Sequence, residues 1–235
     1  MVTVKGFWLG CPDLKETKGV VGEMKIFQRL MQLRPDSVYE GSGKVVEAVN
    51  YINANSDLTA YGWQAVAGLP VGAVGVSMRF ESMDSLLSSQ TALVEDAGYM
   101  EIAQSAQEML AEPAQDWIMD VIAASDDMPA DPSDFLANTV ARAQLDNVGA
   151  AIDWSQRWVA MVNSLAGTPA AGLMSPHGEG GVSFAQLLYY DSLTQYEERQ
   201  TPEVWSMVGG SSLMREGFAI FDEGSNTSAL MRRIA

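Results

Sequence analysis

One cysteine and one histidine among 235 residues remove several kinds of chemistry at once. A lone Cys11 rules out an internal disulfide, and a reducing, cytoplasmic setting is the simplest expectation. With no second thiol and no histidine nearby, Cys11 is expected to be structural. A single His177 excludes a multi-histidine metal site, and no Cys/His/Asp cluster has ligand spacing, so no metal is expected. No run of 18 apolar residues occurs, so no membrane-spanning helix is expected. The opening residues lack the long apolar run of a signal peptide. Basic residues are scarce: 14 Lys and Arg stand against 30 Asp and Glu, for a net charge of −16. Such a surface repels phosphate, so nucleic acid and anionic membranes are not expected partners. Glycine-rich pieces give no phosphate loop. Gly178-Glu179-Gly180-Gly181 precedes a strand pattern, and Gly209-Gly210-Ser211-Ser212 lacks a lysine. The paired acids Glu197-Glu198 and Asp126-Asp127 are expected to be solvated surface.

What the chain does have is apolar material, 47% of its residues, and a degenerate internal repeat. Gly75-Val76-Ser77 and Gly181-Val182-Ser183 each open an apolar strand. Each strand leads to an Asp-Ser-Leu sequence, at Asp84 and at Asp191, where a helical pattern begins. The two aspartates are natural helix N-caps. Each half then gives the same order of elements. In the first, strand 2–10 precedes a helix carrying Val20, Met24, Phe27 and Met31, and residues 43–54 give a short extra helix. Strands 59–67 and 71–80, a helical region 83–111 broken at Gly98, and strand 117–123 follow. Residues 125–136 contain Pro129, Pro132 and four aspartates and form a linker. In the second half, strand 138–145 and a helix with Trp154, Trp158 and Val162 come first. Strands 170–174 and 182–190, a helical region 193–216 broken at Gly209-Gly210, and a closing strand 217–222 complete it. The expected units are 1–124 and 137–235, each β-α-β-β-α-β, the ferredoxin-like order.

Strands that are apolar at both odd and even positions must be buried on both faces. Packing the two half-sheets face to face meets that requirement. The element order and repeat resemble the dimeric α+β barrel superfamily, with both halves fused in one chain. That superfamily includes antibiotic-biosynthesis-type monooxygenases, muconolactone-isomerase-like proteins, chlorite-dismutase-like haem proteins and NIPSNAP-like proteins of unclear role. The resemblance implies an α+β fold and an interior between two sheets. It also brings haem as an alternative to a cofactor-free protein, with His177 as the candidate ligand or general base. A solvated loop histidine is the simpler reading of Ser-Pro-His-Gly-Glu-Gly-Gly. Fusion supplies the pseudo-dimer within one chain, and a homodimer is the largest assembly expected.

Strand parity proposes which side chains face the interior. Ala141, Ala143, Val76, Met78 and Phe80 suit the helix-covered face. Trp8, Arg79, Arg142, Gln144 and Tyr189 then form the candidate ligand-binding set. An arginine aimed between sheets must be paired or meet a ligand. The expected ligand is a small anionic, partly aromatic metabolite held by guanidinium and stacked on a ring, bound or transformed without a metal. The alternatives are a structural or interaction protein whose interior is filled by side chains, and a haem protein.

Overall fold

A computed structural model describes residues 24–177 and 181–235, which form an eight-stranded antiparallel barrel wrapped by helices. Its strands are β1 (Lys25–Gln32), β2 (Thr59–Ala67), β3 (Ala73–Phe80), β4 (Gln115–Ala124), β5 (Phe135–Ala143), β6 (Ala170–Ser175), β7 (Val182–Tyr190) and β8 (Thr227–Arg233). Its helices are α1 (Val38–Asn55), α2 (Met83–Glu95), α3 (Ala97–Gln107), α4 (Val148–Ala166), α5 (Leu193–Arg199), α6 (Pro202–Gly210) and α7 (Ser212–Ile220). The strand order is β1-β3-β2-β8-β5-β7-β6-β4, closed on itself. Each half keeps the ferredoxin-like neighbours, and β2–β8 and β4–β6 join the halves, so the sheet has no free edge.

The repeat is stricter in three dimensions than in letters. Lys25 pairs with Phe80, and 110 positions later Phe135 pairs with Tyr190. Ala60 pairs with Met78, and 110 positions later Ala170 pairs with Leu188. The spacing therefore holds without net insertion from β1 through β3. Across β4 and β8 it becomes 112, since Lys25 faces Asp120 and Phe135 faces Arg232. Two residues have entered the helical segment before the last strand.

Three cores follow from the alternation of side chains. Outside the first half-sheet, Val45, Val49 and Ile52 of α1 meet Val74, Val76 and Met78. Outside the second, Trp154, Trp158 and Val162 of α4 meet Val182 and Phe184. Inside the barrel, Met119, Val121, Leu173, Leu187 and Tyr189 pack together, and Leu136 links them to Tyr61, Trp63 and Met231. The space between the two half-sheets is thus occupied by large side chains.

Several expected elements move. The helix placed on Phe27 and Met31 is strand β1: residues four apart share a face in a strand as well as in a helix. The short extra helix at 43–54 lies within α1, the 18-residue crossover of the first half. The closing strand is Thr227–Arg233, because Gly217 to Ile220 complete α7. The caps are Ser82 and Ser192, whose hydroxyls accept from Ser85 N and Gln195 N; Asp84 and Asp191 do not cap. The break near Gly98 falls at Asp96, which caps α3. A side chain at Gly98 would lie 2.7 Å from the Tyr51 hydroxyl, which bonds Asp96 at 2.6 Å. Strand 2–10, Trp8 and Cys11 lie outside the described residues.

Candidate functional site

Arg79 and Tyr189 share the barrel interior, where parity placed them. The Arg79 guanidinium lies over the Tyr61 ring, 5.9 Å from its centroid, and donates to the Ala130 carbonyl. Tyr61 in turn donates to Asp131 at 2.8 Å, and Arg233 donates to the Pro132 carbonyl and the Asp134 carboxylate. Residues 130–134 are thereby held against this end of the barrel. Burial pushes the Tyr189 phenol up to about 12, against the opposing charge of Arg79.

The other candidates are elsewhere. Arg142 stands beside Ser183, while Tyr189 stands beside Leu136 on the same strand pair. Six strand positions separate them, about 20 Å at 3.3 Å per residue. Ser225 and Asp222 hold the Arg142 main chain. The Gln144 amide donates to both carboxylate oxygens of Asp222 at 3.0 and 2.9 Å. His177 is exposed beyond β6, with its main chain hydrogen-bonded to Ser175. The two arginines therefore do not form one positive spot.

A different space opens on the outer face of the second half-sheet. A chamber of about 570 Å³ lies between β5, β7 and β8 and the helices α4 to α7. Its floor carries Thr139, Ala141, Phe184, Gln186, Leu188, Tyr190 and Ser228; Trp154, Trp158 and Val208 stand over them. The aromatic groups lock one another. Trp154 is nearly parallel to Trp158, with centroids 6.3 Å apart, and meets Phe221 edge-on at 5.1 Å. Phe221 meets Phe184 edge-on at 5.7 Å. The Trp154 indole N–H donates to the Leu213 carbonyl at 2.7 Å, so the ring's one polar group is satisfied. Gly217 lets α7 approach: a Cβ there would sit 2.9 Å from the Trp154 indole. Trp205 and Phe218 also line the chamber and are more than half exposed.

One end of the chamber is polar. The Gln200 amide donates to the Tyr190 hydroxyl at 2.6 Å, leaving the phenolic proton free to be donated. Burial pushes this phenol up to about 12, although the Gln200 bond acts the other way. Tyr190 is therefore a neutral donor near neutral pH. Arg199, the one cation of the lining, donates to Thr168 at 3.4 Å. Gln186, 6% exposed, donates its amide N–H to Ser155 Oγ at 2.8 Å, while its Oε1 has no hydrogen-bond partner.

The first half carries a counterpart of about 520 Å³, lined by Arg29, Met78 and Asp116 at the positions of Thr139, Leu188 and Ser228. There Arg29 and Asp116 make a bidentate pair at 2.7 Å, where Thr139 and Ser228 share a hydroxyl contact of 2.9 Å. His177 reaches this first-half cavity and does not line the chamber. Parity assigned the chamber's floor to the helix-covered face and so left it out of the candidate set. The signal that was available is the smallness of Thr139 and Ala141 beside the bulk of Arg29 and Met31.

No helix among the described residues is long and apolar enough to cross a membrane, and none of their acidic, His or Cys side chains cluster as a metal site would need. No protein-family model matches the chain, and no curated protein matches it. Solved structures do. An anthrone oxidase-like protein superposes with a TM-score of 0.65 at 13% identity, over 91% of this chain and 92% of that one. A putative monooxygenase from Fusobacterium nucleatum gives 0.65 at 9%, covering 92% and 94%. A putative chlorite dismutase gives 0.51 at 10%, covering 90% and 95%. At such identities the likeness concerns the fold. The chain has the dimeric α+β barrel fold, with both halves of the barrel supplied by one polypeptide.

Proposed function

We propose that the second-half chamber binds a flat, largely apolar aromatic molecule with an oxygen at one edge, and that the chain acts on it as an oxidase or monooxygenase. The observation that carries this reading is the chamber itself: aromatic walls ending in Tyr190, Gln200 and Arg199. Its size and lining are those of a small-molecule site. The Tyr190 hydroxyl donates to the ligand oxygen, and the Arg199 charge favours the phenolate or enolate over the neutral form. That anion is electron-rich and is the form that dioxygen, as co-substrate, oxidises: a C–O bond forms at the ring carbon, the O–O bond breaks, one oxygen stays as the new carbonyl and the other leaves with the carbon's two hydrogens as water. The names of two structural neighbours, an anthrone oxidase-like protein and a putative monooxygenase, fit this chemistry.

Haem suits the chamber poorly. Its lining offers neither histidine nor cysteine, Tyr190 is protonated and engaged with Gln200, and His177 lies at the other cavity. The reading therefore involves no haem.

The test is a titration with 2-hydroxyanthraquinone followed by tryptophan fluorescence, which Trp154 and Trp158 report from the wall. Saturable quenching is expected, weakened about tenfold by Tyr190→Phe or Arg199→Gln, the effect of one lost charge-assisted hydrogen bond. Oxygen uptake in the presence of anthrone then tests turnover. Absence of quenching across such tricyclic aromatics would overturn the reading.

A further inference from the structure

We infer that α6 is a lid that closes on the chamber's occupant and lays the Trp205 ring against it. The inference rests on the second-half chamber being the binding site and adds how that site shuts.

The first observation is a rim of aromatic groups left in water. Trp205 of α6 and Phe218 of α7 line the chamber, yet they are 54% and 76% exposed. Trp154 and Trp158, on the inner wall of the same chamber, are 5% and 8% exposed. Large exposed apolar groups at the mouth of an apolar site mark a surface that gains by being covered. A flat aromatic occupant has a second face to offer, and Trp205 is the ring placed to meet it.

The second observation is how α6 is attached. Val208 is the one buried residue of its nine, whereas α4 buries six of nineteen. A segment with so little buried surface moves at low cost. It also has a joint at each end. Thr201 is extended ahead of Pro202, whose ring disfavours a helical residue before it. Ser211 is extended at the other end, where its hydroxyl caps α7. In the first half α2 and α3 cover the sheet with a single joint, at Asp96. The helix with two joints belongs to the half that carries the aromatic chamber.

The third observation is the pair Gly209-Gly210 in the last turn of α6. Neither glycine has a positive φ, and a Cβ on either meets nothing within 4 Å. Turn geometry and packing therefore do not call for glycine there, and each weakens the helix relative to alanine. A softened turn next to the extended Ser211 makes a hinge. The opposite joint is anchored, since Gln200 beside it holds the Tyr190 hydroxyl. Rotation of α6 about that anchored joint turns Trp205 from the rim onto the occupant. It also excludes water from the end where Tyr190 and Arg199 hold the ligand oxygen, which strengthens both contacts.

The test follows binding of 2-hydroxyanthraquinone to wild type, Trp205→Ala, Trp205→Phe and the double variant Gly209→Ala/Gly210→Ala. Trp154 and Trp158 report binding in all four. Trp205→Ala should bind about tenfold more weakly, and Trp205→Phe should recover most of that loss. Both should melt like wild type without ligand, since the ring is mostly in water. Saturating ligand should slow amide hydrogen exchange across residues 202–210 several-fold in wild type. The alanine pair stiffens the hinge, so association and dissociation should both slow several-fold in stopped-flow quenching. Wild-type affinity in Trp205→Ala, or exchange in α6 that ligand leaves unchanged, overturns the lid while leaving the chamber standing. So does a Trp205→Ala variant that folds but melts well below wild type, because the ring would then serve the unliganded fold. Unchanged rates in the alanine pair overturn the hinge at Gly209-Gly210. Failure of wild type to bind overturns the chamber reading and this inference together.

Discussion

Gln186 occupies in β7 the place that Val76 occupies in β3, each opposite a glycine of the neighbouring strand. Such equivalences turn the duplication into an internal control. The first half shows what the fold needs at a position, and a departure in the second half marks something else. Arg29 and Met31 become Thr139 and Ala141; Phe80 becomes Tyr190. Thr139, Ala141, Gln186 and Tyr190, the residues that differ in the second half, all line its chamber. The barrel interior, by contrast, is filled in both halves.

Two glycines should respond with opposite sign. Gly43 is exposed within α1, and a Cβ there meets nothing within 4 Å. Gly43→Ala is expected to stabilise by about 0.5–1 kcal/mol, through the conformational freedom glycine loses on folding. Gly217→Ala drives its methyl against the Trp154 indole and should cost about 1–3 kcal/mol, with loss of quenching by a chamber ligand. Chemical denaturation of both variants checks the pair; equal effects would show that α7 does not press on Trp154.

Alkaline pH should weaken the fold through its two buried phenols. Burial raises Tyr189 and Tyr190 from 10.0 to about 12. A raised folded value means the folded state holds its proton more tightly. The stabilisation is therefore complete below pH 10 and is lost as pH climbs towards 12, by up to about 3 kcal/mol for each residue. Tyr190→Phe should flatten part of that decline between pH 10 and 12. Phenolate absorbance, which should rise late and together with unfolding, gives an independent reading.

Parity arguments in the sequence survived even though the letters that suggested the repeat were out of register. Gly75-Val76-Ser77 and Gly181-Val182-Ser183 lie 106 positions apart, whereas the strand pairing sets 110. The error is four residues, an even number, so no side chain changed face. Met78 and Phe80 therefore lie under helices, and Arg79 and Tyr189 lie inside, as the alternation implied. The caps fall two residues before Asp84 and one after Asp191, at Ser82 and Ser192. What the sequence could not convey was where space remains. A cavity depends on whether facing side chains fill the gap; the smallness of Ala141 stands out against Met31 only once the 110-residue register is known, and its place opposite Trp158 and Val208 is set by the fold. Phe27 and Met31 show the other limit, since spacing by four suits either period.

Arg79 should matter for the barrel end and not for the chamber. Its guanidinium holds the Ala130 carbonyl, beside the Tyr61–Asp131 hydrogen bond. Arg79→Ala should speed amide hydrogen exchange across residues 128–132 several-fold while leaving binding of 2-hydroxyanthraquinone unchanged. Loss of that binding would return the ligand to the space between the sheets.

The second half should lose its ligand, and keep its fold, when given one residue of the first. Ala141 lines the chamber floor, and its equivalent in the first half is Met31, a buried core residue. Ala141→Met extends a flexible thioether into the chamber from a position where the same backbone already carries one. Filling an apolar void adds contacts, so the unliganded variant should be as stable as wild type or more stable, by up to about 1–2 kcal/mol. Ligand binding should fall at least about tenfold, because the occupant then competes with the side chain for the same volume. The comparison is read by thermal melting and by tryptophan quenching on the same samples. A variant that melts like wild type and still binds equally well would show that the ligand does not lie on the β5 floor. A variant that loses stability and binding together would mean that Ala141 is packed already and that the chamber is narrower than its walls imply.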